Sequence, residues 1–166
     1  TPDPELLQQE ALTLCEGKDR AVLKIIITRG KGGRGYNPSD CGEPSRILSL
    51  HDWPDYPANN TEKGVRVRYC ETRLSENPKL AGIKHLNRLE QVLARAEWND
   101  TAIAEGLMLN SSGHVIEGTM SNLFIVKKGA LITPDLSACG IEGIMRSTVL
   151  ETASRQGMEH RTFELS

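Results

Sequence analysis

Two hairpin signals constrain the second half of this chain more than any other feature. Gly106-Leu-Met-Leu109 and His114-Val-Ile-Glu117 flank Asn110-Ser-Ser-Gly113, and Asn122-Leu-Phe-Ile-Val126 and Ala130-Leu-Ile-Thr133 flank Lys128-Gly129. Apolar, β-patterned runs separated by a few turn residues pair antiparallel with their neighbours, so an antiparallel meander is predicted here. Cys139-Gly-Ile-Glu-Gly-Ile-Met-Arg146 then enters a helix predicted to run to about Gln156, with Gly157 as its cap. Arg161-Thr-Phe-Glu-Leu-Ser166 reads as the start of another strand.

The first half alternates helix and strand patterns. Pro4 suits a first helical turn, Leu6, Leu7, Ala11, Leu12 and Leu14 give that helix an apolar side, and Gly17 ends it. Ala21-Val-Leu-Lys-Ile-Ile-Ile-Thr28 is β-branched nearly throughout and predicts a strand buried on both faces or nearly so. Arg46–His51 is the returning strand. Between them lies Arg29-Gly-Lys-Gly-Gly-Arg-Gly-Tyr36, with four glycines and three cations. Such a loop is either a solvated tip or a place where backbone and guanidinium groups approach an anion. It lacks the Gly-Lys-Ser/Thr of a Walker A loop. The prolines and turn residues of Trp53–Asn60 mark an interdomain linker, after which Gly64–Cys70 alternates as a strand.

The totals narrow the class. The 166 residues amount to about one domain's worth of chain, and 20 basic against 22 acidic side chains leave no basic face for nucleic acid. No apolar run approaches a membrane span, and no signal peptide opens the chain, so a cytoplasmic protein is expected. Four scattered cysteines without a Cys-x-x-Cys pair fit reduced thiols better than zinc ligands or disulfides. Both ends read as those of a fragment.

Leu80-Ala-Gly-Ile-Lys-His-Leu-Asn-Arg-Leu-Glu90 is predicted to end a loop and begin a helix, with Lys84 at the junction. Leu86, Leu89, Val92, Leu93 and Ala96 form the apolar stripe of that helix. A lysine there is either a solvated surface cation, disfavoured by the helix dipole, or an amine put to chemical use. Glu117 is either an edge-strand carboxylate or a buried partner for a cationic ring nitrogen. Gly143 is either a plain helix start or the entry to a phosphate-binding N-terminus. A lysine that forms a Schiff base, a carboxylate for a pyridine nitrogen and a helix N-terminus are together the parts of a pyridoxal phosphate site.

Gly82-Ile-Lys-His-Leu-Asn87, Ile116-Glu-Gly-Thr-Met-Ser-Asn-Leu-Phe124 and Gly143-Ile-Met-Arg146 resemble, in order and spacing, the successive signatures of the class IV aminotransferase family. The similarity covers nearly the whole chain. Within the family, Gly32–Tyr36 and Ile83–Glu90 most resemble the members that act as lyases on aminodeoxychorismate. The resemblance implies an α/β (α+β), two-domain protein of pyridoxal phosphate fold type IV, like D-amino-acid aminotransferase, incomplete at both termini. Residues 1–53 then form the remainder of a small N-terminal α/β domain, 54–63 the linker, and 64–166 most of the larger cofactor domain.

Carried over by motif, the resemblance implies that Lys84 is the Schiff-base lysine and proton carrier, and that Glu117 pairs with the pyridine nitrogen. It places Ile141 against the ring face, gives Ile144 and Met145 backbone N–H groups for the phosphate, and puts Ser121 in the segment beneath the cofactor. Relatives often carry Thr where Met145 stands. Arg29 and Arg34 sit in the loop that reaches substrate carboxylates in relatives. The implied activity is a pyridoxal 5'-phosphate-dependent lyase that converts 4-amino-4-deoxychorismate to 4-aminobenzoate and pyruvate, toward folate, in a cytoplasmic homodimer. A class IV aminotransferase of D-amino-acid or branched-chain type and a non-catalytic interaction module are the alternatives. No metal, nucleic acid or membrane partner is expected.

Overall fold

The computed structural model describes residues 3–165. The chain divides into two compact units, Thr1–Ala58 and Asn59–Ser166. In the first, helix α1 (Pro4–Cys15) starts where the Asp3 carboxylate accepts the Glu5 and Leu6 N–H groups at 3.0 and 3.4 Å. Strands β1 (Val22–Thr28) and β2 (Ser45–His51) pair antiparallel. Arg46 on β2 grips Glu10 on α1 with two hydrogen bonds of 2.7 and 2.9 Å, which hold the Glu10 carboxyl below its usual pKa.

The expectation that β1 is buried on both faces fails. Val22, Ile25 and Ile27 are exposed, while Leu23, Ile26 and Thr28 are half-buried. A β-branched run reports strand propensity, and how many faces are covered depends on what packs against a two-stranded sheet.

The second unit begins with a one-turn helix α2 (Asn60–Lys63), which falls in the segment expected to be linker. Strand β3 (Arg66–Leu74), helix α3 (Leu89–Arg95) and strand β4 (Ile103–Asn110) make a βαβ unit with β3 parallel to β4. Strand β5 (Val115–Gly118) closes antiparallel on β4. The second sheet mirrors this order. Strands β6 (Ile125–Lys127) and β7 (Ala130–Pro134) form a hairpin, and helix α4 (Ile144–Arg155) carries the chain over to β8 (His160–Phe163), parallel to β7.

Each expected hairpin is present, but the expected meander is not, because β5 and β6 belong to different sheets. The Gly118 N–H donates to the Ser121 carbonyl at 2.7 Å and the Thr119 N–H to the Gly106 carbonyl at 3.0 Å. The first bond closes a turn after β5, and the second ties the next residue back to β4. The pattern identified local pairs and could not identify which pairs share a sheet.

The core of this unit packs Cys70, Leu74, Met108 and Ile116 from the first sheet against Ala94, Trp98, Leu136 and Cys139. Gly106 is needed for that packing, since a Cβ there would lie 2.5 Å from Cys70 Sγ and 2.7 Å from the Trp98 ring. All four cysteines are free thiols, and burial pushes those of Cys70 and Cys139 up to about 11.

Helix α3 differs most from expectation. It starts at Leu89, so Lys84 lies in the loop before it, and the helix-dipole argument for Lys84 lapses. Lys84 is also exposed. The face turned inward carries Gln91 and Ala94, while Leu89, Val92 and Leu93 are 65%, 62% and 54% exposed. Polar anchors set this rotation. Glu90 accepts the Ser75 N–H at 3.0 Å and its hydroxyl at 2.5 Å, and Gln91 reaches Glu117. With Ala94 fully buried, the small side chain lets the helix backbone approach the sheet.

Candidate functional site

The segment carrying Lys84 is placed by backbone bonds. The Gly82 N–H donates to the Gly140 carbonyl at 2.9 Å, and the Gly82 carbonyl accepts the Glu142 N–H at 3.0 Å. Gly82 thereby forms a parallel bridge with Ile141 and joins the Lys84 loop to the chain that enters α4.

Glu117 stands on β5 and is 3% exposed. Its Oε2 accepts the Ile141 N–H at 2.8 Å, and its Oε1 accepts from Gln91 Nε2 at 3.4 Å. Burial raises its pKa above the ordinary carboxyl value. The Ile141 and Gln91 hydrogen bonds and the charges of Arg88 and Lys84 oppose that rise without cancelling it. Such a carboxylate is poised to gain from a cationic partner, which would remove the desolvation penalty.

The turn after β5 is organised by a second carboxylate, Glu105 on β4. Its Oε1 accepts the Gly106 N–H at 2.9 Å, the Thr119 N–H at 3.1 Å and the Thr119 hydroxyl at 2.5 Å, and its Oε2 accepts the Ser121 hydroxyl at 2.8 Å. Burial alone would raise Glu105, but these hydrogen bonds outweigh it and hold the carboxyl below its usual pKa. A hydroxyl has one proton to give. With that of Ser121 committed to Glu105, Ser121 offers lone pairs to anything nearby and no donor. Gly118 makes the turn possible, because a Cβ there would meet Ser121 Oγ at 2.3 Å.

Asn122 ties this turn to α4. Its Nδ2 donates to the Ile141 carbonyl at 2.8 Å, and its Oδ1 accepts the Gly143 N–H at 3.1 Å. Gly143 is the N-cap, and a Cβ on it would sit 2.3 Å from Asn122 Oδ1. Arg146, 5% exposed in the first turn, docks the helix on β7 through Thr133 Oγ1 at 3.3 Å and the Pro134 carbonyl at 3.1 Å, and it pairs with Glu142 at 3.2 Å. The first turn of α4 has no acidic residue, and its N–H groups have no intrahelical acceptors, so its dipole is available to an anion.

A cavity of about 250 Å³ brings Lys84, Glu117, Ser121, Ile141 and Gly143 together, with Arg88 and Gln91 also on its wall. Four of the expected site residues thus share one cavity. Ile144 and Met145 are the first two residues of α4, with exposed side chains, so their contribution to any ligand is their N–H groups. Arg29 and Arg34 lie in the first unit, both exposed in the glycine-rich loop, and Arg29 Nε donates to the Pro38 carbonyl at 3.4 Å. Gly30 fixes the base of that loop, with φ +98° and no room for a side chain, because a Cβ would fall 2.1 Å from the Glu43 carbonyl oxygen.

Sequence reasoning missed Gln91, Glu105, Asn122 and Arg146. Asn122 and Arg146 stood inside quoted motifs without a role. Glu105 carried no local signal, since apart from the adjacent Gly106 N–H its partners are fourteen to sixteen residues away.

A sequence profile described as amino-transferase class IV matches residues 2–166. The chain is 44% identical to an aminodeoxychorismate lyase of Vibrio harveyi over 94% of its own length and 58% of the relative's. A crystal structure of 4-amino-4-deoxychorismate lyase from Pseudomonas aeruginosa superposes with a TM-score of 0.92 at 49% identity, over 99% of this chain and 61% of that one. The branched-chain amino acid aminotransferase of Escherichia coli superposes with a TM-score of 0.79 at 25% identity, over 100% of this chain and 55% of that one. The chain therefore spans about three fifths of the length of the lyases it matches.

Proposed function

The chain belongs to the amino-transferase class IV family, and from that membership we propose that the protein is a pyridoxal 5'-phosphate-dependent lyase that converts 4-amino-4-deoxychorismate to 4-aminobenzoate and pyruvate. The single observation that carries the reading is the cavity that gathers Lys84, Glu117 and Gly143. Its residues suit the cofactor's three functional groups: an amine for the carbonyl, a buried carboxylate for the ring nitrogen, and the N–H groups of Ile144 and Met145 for the phosphate. The 44% and 49% identities to the Vibrio harveyi and Pseudomonas aeruginosa lyases, against 25% to the Escherichia coli aminotransferase, support the choice within the family. The two units are proposed as the remainder of a small domain and most of the cofactor domain, within a cytoplasmic homodimer. Among the described residues no helix is long and apolar enough to cross a membrane.

When bound, pyridoxal phosphate supplies a carbonyl that captures the substrate amine and a ring that withdraws electrons from the amine-bearing carbon. Glu117 would be the buried carboxylate that pairs with the ring nitrogen and keeps a proton on it. Lys84 would take the proton from the amine-bearing carbon and carry it for return. The bond from the substrate ring to the enolpyruvyl oxygen then breaks, the ring becomes aromatic, and a proton ends on the methyl carbon of pyruvate. Atoms and electrons balance without water or an oxidant. Arg29 and Arg34 are proposed as partners of substrate carboxylates, as exposed guanidinium groups in a loop of high backbone freedom. Ile141 and Ser121 line the same cavity, where Ile141 would bound the ring and Ser121 would offer an acceptor.

Incubation with 4-amino-4-deoxychorismate tests the reading, with 4-aminobenzoate as the expected product. Amine exchange with a D- or branched-chain amino acid and no 4-aminobenzoate would assign an aminotransferase instead. A colourless protein whose Lys84 peptide gains no pyridoxyl mass on borohydride reduction would make the chain a non-catalytic module.

A further inference from the structure

Lys84 stands in neither helix nor strand, so something other than secondary structure must aim its side chain. The Ile83 carbonyl accepts the His85 N–H at 3.1 Å, which places Lys84 at the apex of a γ-turn. One such bond is weak, and on the upstream side the regular anchor is the Gly82 bridge. Downstream the chain is free of the sheet until α3 begins at Leu89.

The missing restraint comes from Arg88. Its Nη2 donates to the Ile83 carbonyl at 2.8 Å, and its Nε donates to the His85 carbonyl at 3.0 Å. One edge of a planar guanidinium thus spans the two residues that flank Lys84. That edge presents parallel N–H groups in a fixed fork, whereas an ammonium group is a point charge without that shape. Arg88 also lies on the cavity wall with Lys84 and Glu117, so the clamp and the amine it aims share the site.

We propose that Arg88 is a positioning residue that holds the Lys84 γ-turn through the carbonyls of Ile83 and His85 and thereby directs the lysine amine into the cavity. The proposal rests on Lys84 being the reactive amine of the function proposed above. A purely structural role fits less well. Residues 83–88 contribute nothing to the buried core, and both bonds end within five residues of Arg88. Losing them frees one loop and opens no cavity in the core.

The test compares wild type, Arg88→Lys and Arg88→Ala in the intact protein, using pyridoxal 5'-phosphate as the probe. Borohydride traps the probe on the lysine, mass spectrometry reads the initial rate of pyridoxyl gain on the Lys84 peptide, and thermal melts are run in parallel. Both variants should label roughly ten- to hundred-fold more slowly, as expected when a reacting group is misplaced by about an ångström. Their melts should stay close to wild type. Free guanidinium at sub-denaturing concentration should restore labelling to Arg88→Ala, an effect a general stabilising role would not produce. Labelling of both variants at the wild-type rate, or no response to guanidinium, overturns the proposal. Should Arg88→Ala fail to fold, Arg88→Lys carries the rate comparison. Wild type that takes no pyridoxyl group at all refutes the parent function and is distinguishable from either result.

Discussion

The carboxylate of Glu117 accepts the backbone N–H of Ile141 at 2.8 Å. This bond fixes the acidic end of the cavity to the segment that leads into α4, so the carboxylate and the helix N-terminus cannot move independently. A carboxylate has about four acceptor sites. Ile141 and the long 3.4 Å approach of Gln91 are the hydrogen bonds it makes among the described residues, and the group remains under-coordinated for one 3% exposed.

Function and stability should therefore pull apart at Glu117. Its folded pKa is raised, so the folded cofactor-free protein binds more protons than the unfolded chain above the ordinary carboxyl range. Its contribution to stability is greatest below the unfolded value and is lost as pH rises through the folded one. Glu117→Gln keeps the shape, can still accept the Ile141 N–H and removes a buried charge. The cofactor-free variant should be as stable as wild type at neutral pH or up to about 1 kcal/mol more stable, and its advantage should vanish on acidification. Thermal melts across pH check this. With Glu117 in its proposed role, the same variant should lower the proposed lyase turnover by roughly a hundred-fold or more, since a neutral amide would not hold a ring-nitrogen proton.

Glu105 gives the opposite sign. Its hydrogen bonds hold the folded pKa below the unfolded one, so its stabilisation is present above the unfolded value and is lost as pH falls through the folded value. Glu105→Gln turns one of the two acceptor oxygens into an amide donor, which then faces either the Gly106 and Thr119 donors on one side or the Ser121 hydroxyl on the other. It should cost about 1–3 kcal/mol at neutral pH, and the difference from wild type should shrink on the acid side. Urea unfolding at several pH values reads both effects. Amide hydrogen exchange should quicken at Gly118 and Thr119, whose N–H groups are held by this turn.

How far the sequence anticipated the site depends on the range of each interaction. Lys84, Glu117 and Gly143 stood out because they lie in short motifs that resemble the family's signatures. The chemistry of the residue types alone left each with a plain structural reading, and the structure places all three on one cavity. Helix α3 was misjudged because its apolar residues recur at helical spacing, yet its orientation is set by Glu90 bonding Ser75 and Gln91 bonding Glu117, fifteen and twenty-six residues away. The meander failed similarly. Asn110–Gly113 and Lys128-Gly129 do turn the chain, but Glu105 and Asn122 decide that the β5–β6 connection becomes a cavity wall. A local pattern specifies a pair of strands, and long-range polar contacts specify the sheet to which the pair belongs.

Gly143 is constrained by space. With φ at −69° its backbone suits any residue, but a Cβ would fall 2.3 Å from Asn122 Oδ1. Asn122 cannot turn aside without losing its bonds to Ile141 and Gly143. Gly143→Ala should destabilise the protein by about 1–3 kcal/mol. It should also weaken pyridoxal phosphate binding, since the helix entry shifts, and absorbance titration with the cofactor gives that loss. Asn122→Ala should reproduce the weakened binding without the steric strain. The double variant should then cost less than the sum of the two single changes, because both act on one contact.

Met145 is the second residue of α4 and its side chain is 71% exposed. If the N-terminus of α4 holds the cofactor phosphate, this position supplies a backbone N–H and no side-chain donor. Met145→Thr adds a hydroxyl at the site of the dipole's positive end, where an anion is already favoured. Threonine lowers helix propensity by about half a kcal/mol relative to methionine, and an added hydrogen bond to a charged group is worth about 1.5–3 kcal/mol. The bond outweighs the propensity, so Met145→Thr should bind pyridoxal phosphate several-fold to roughly fifty-fold more tightly, with little change in the melt of the cofactor-free protein. Met145→Leu, matched in size and without a donor, should bind as wild type does. Equal affinity for all three would show that a hydroxyl at this position does not reach the phosphate and would leave the backbone N–H groups as the whole contribution of this turn.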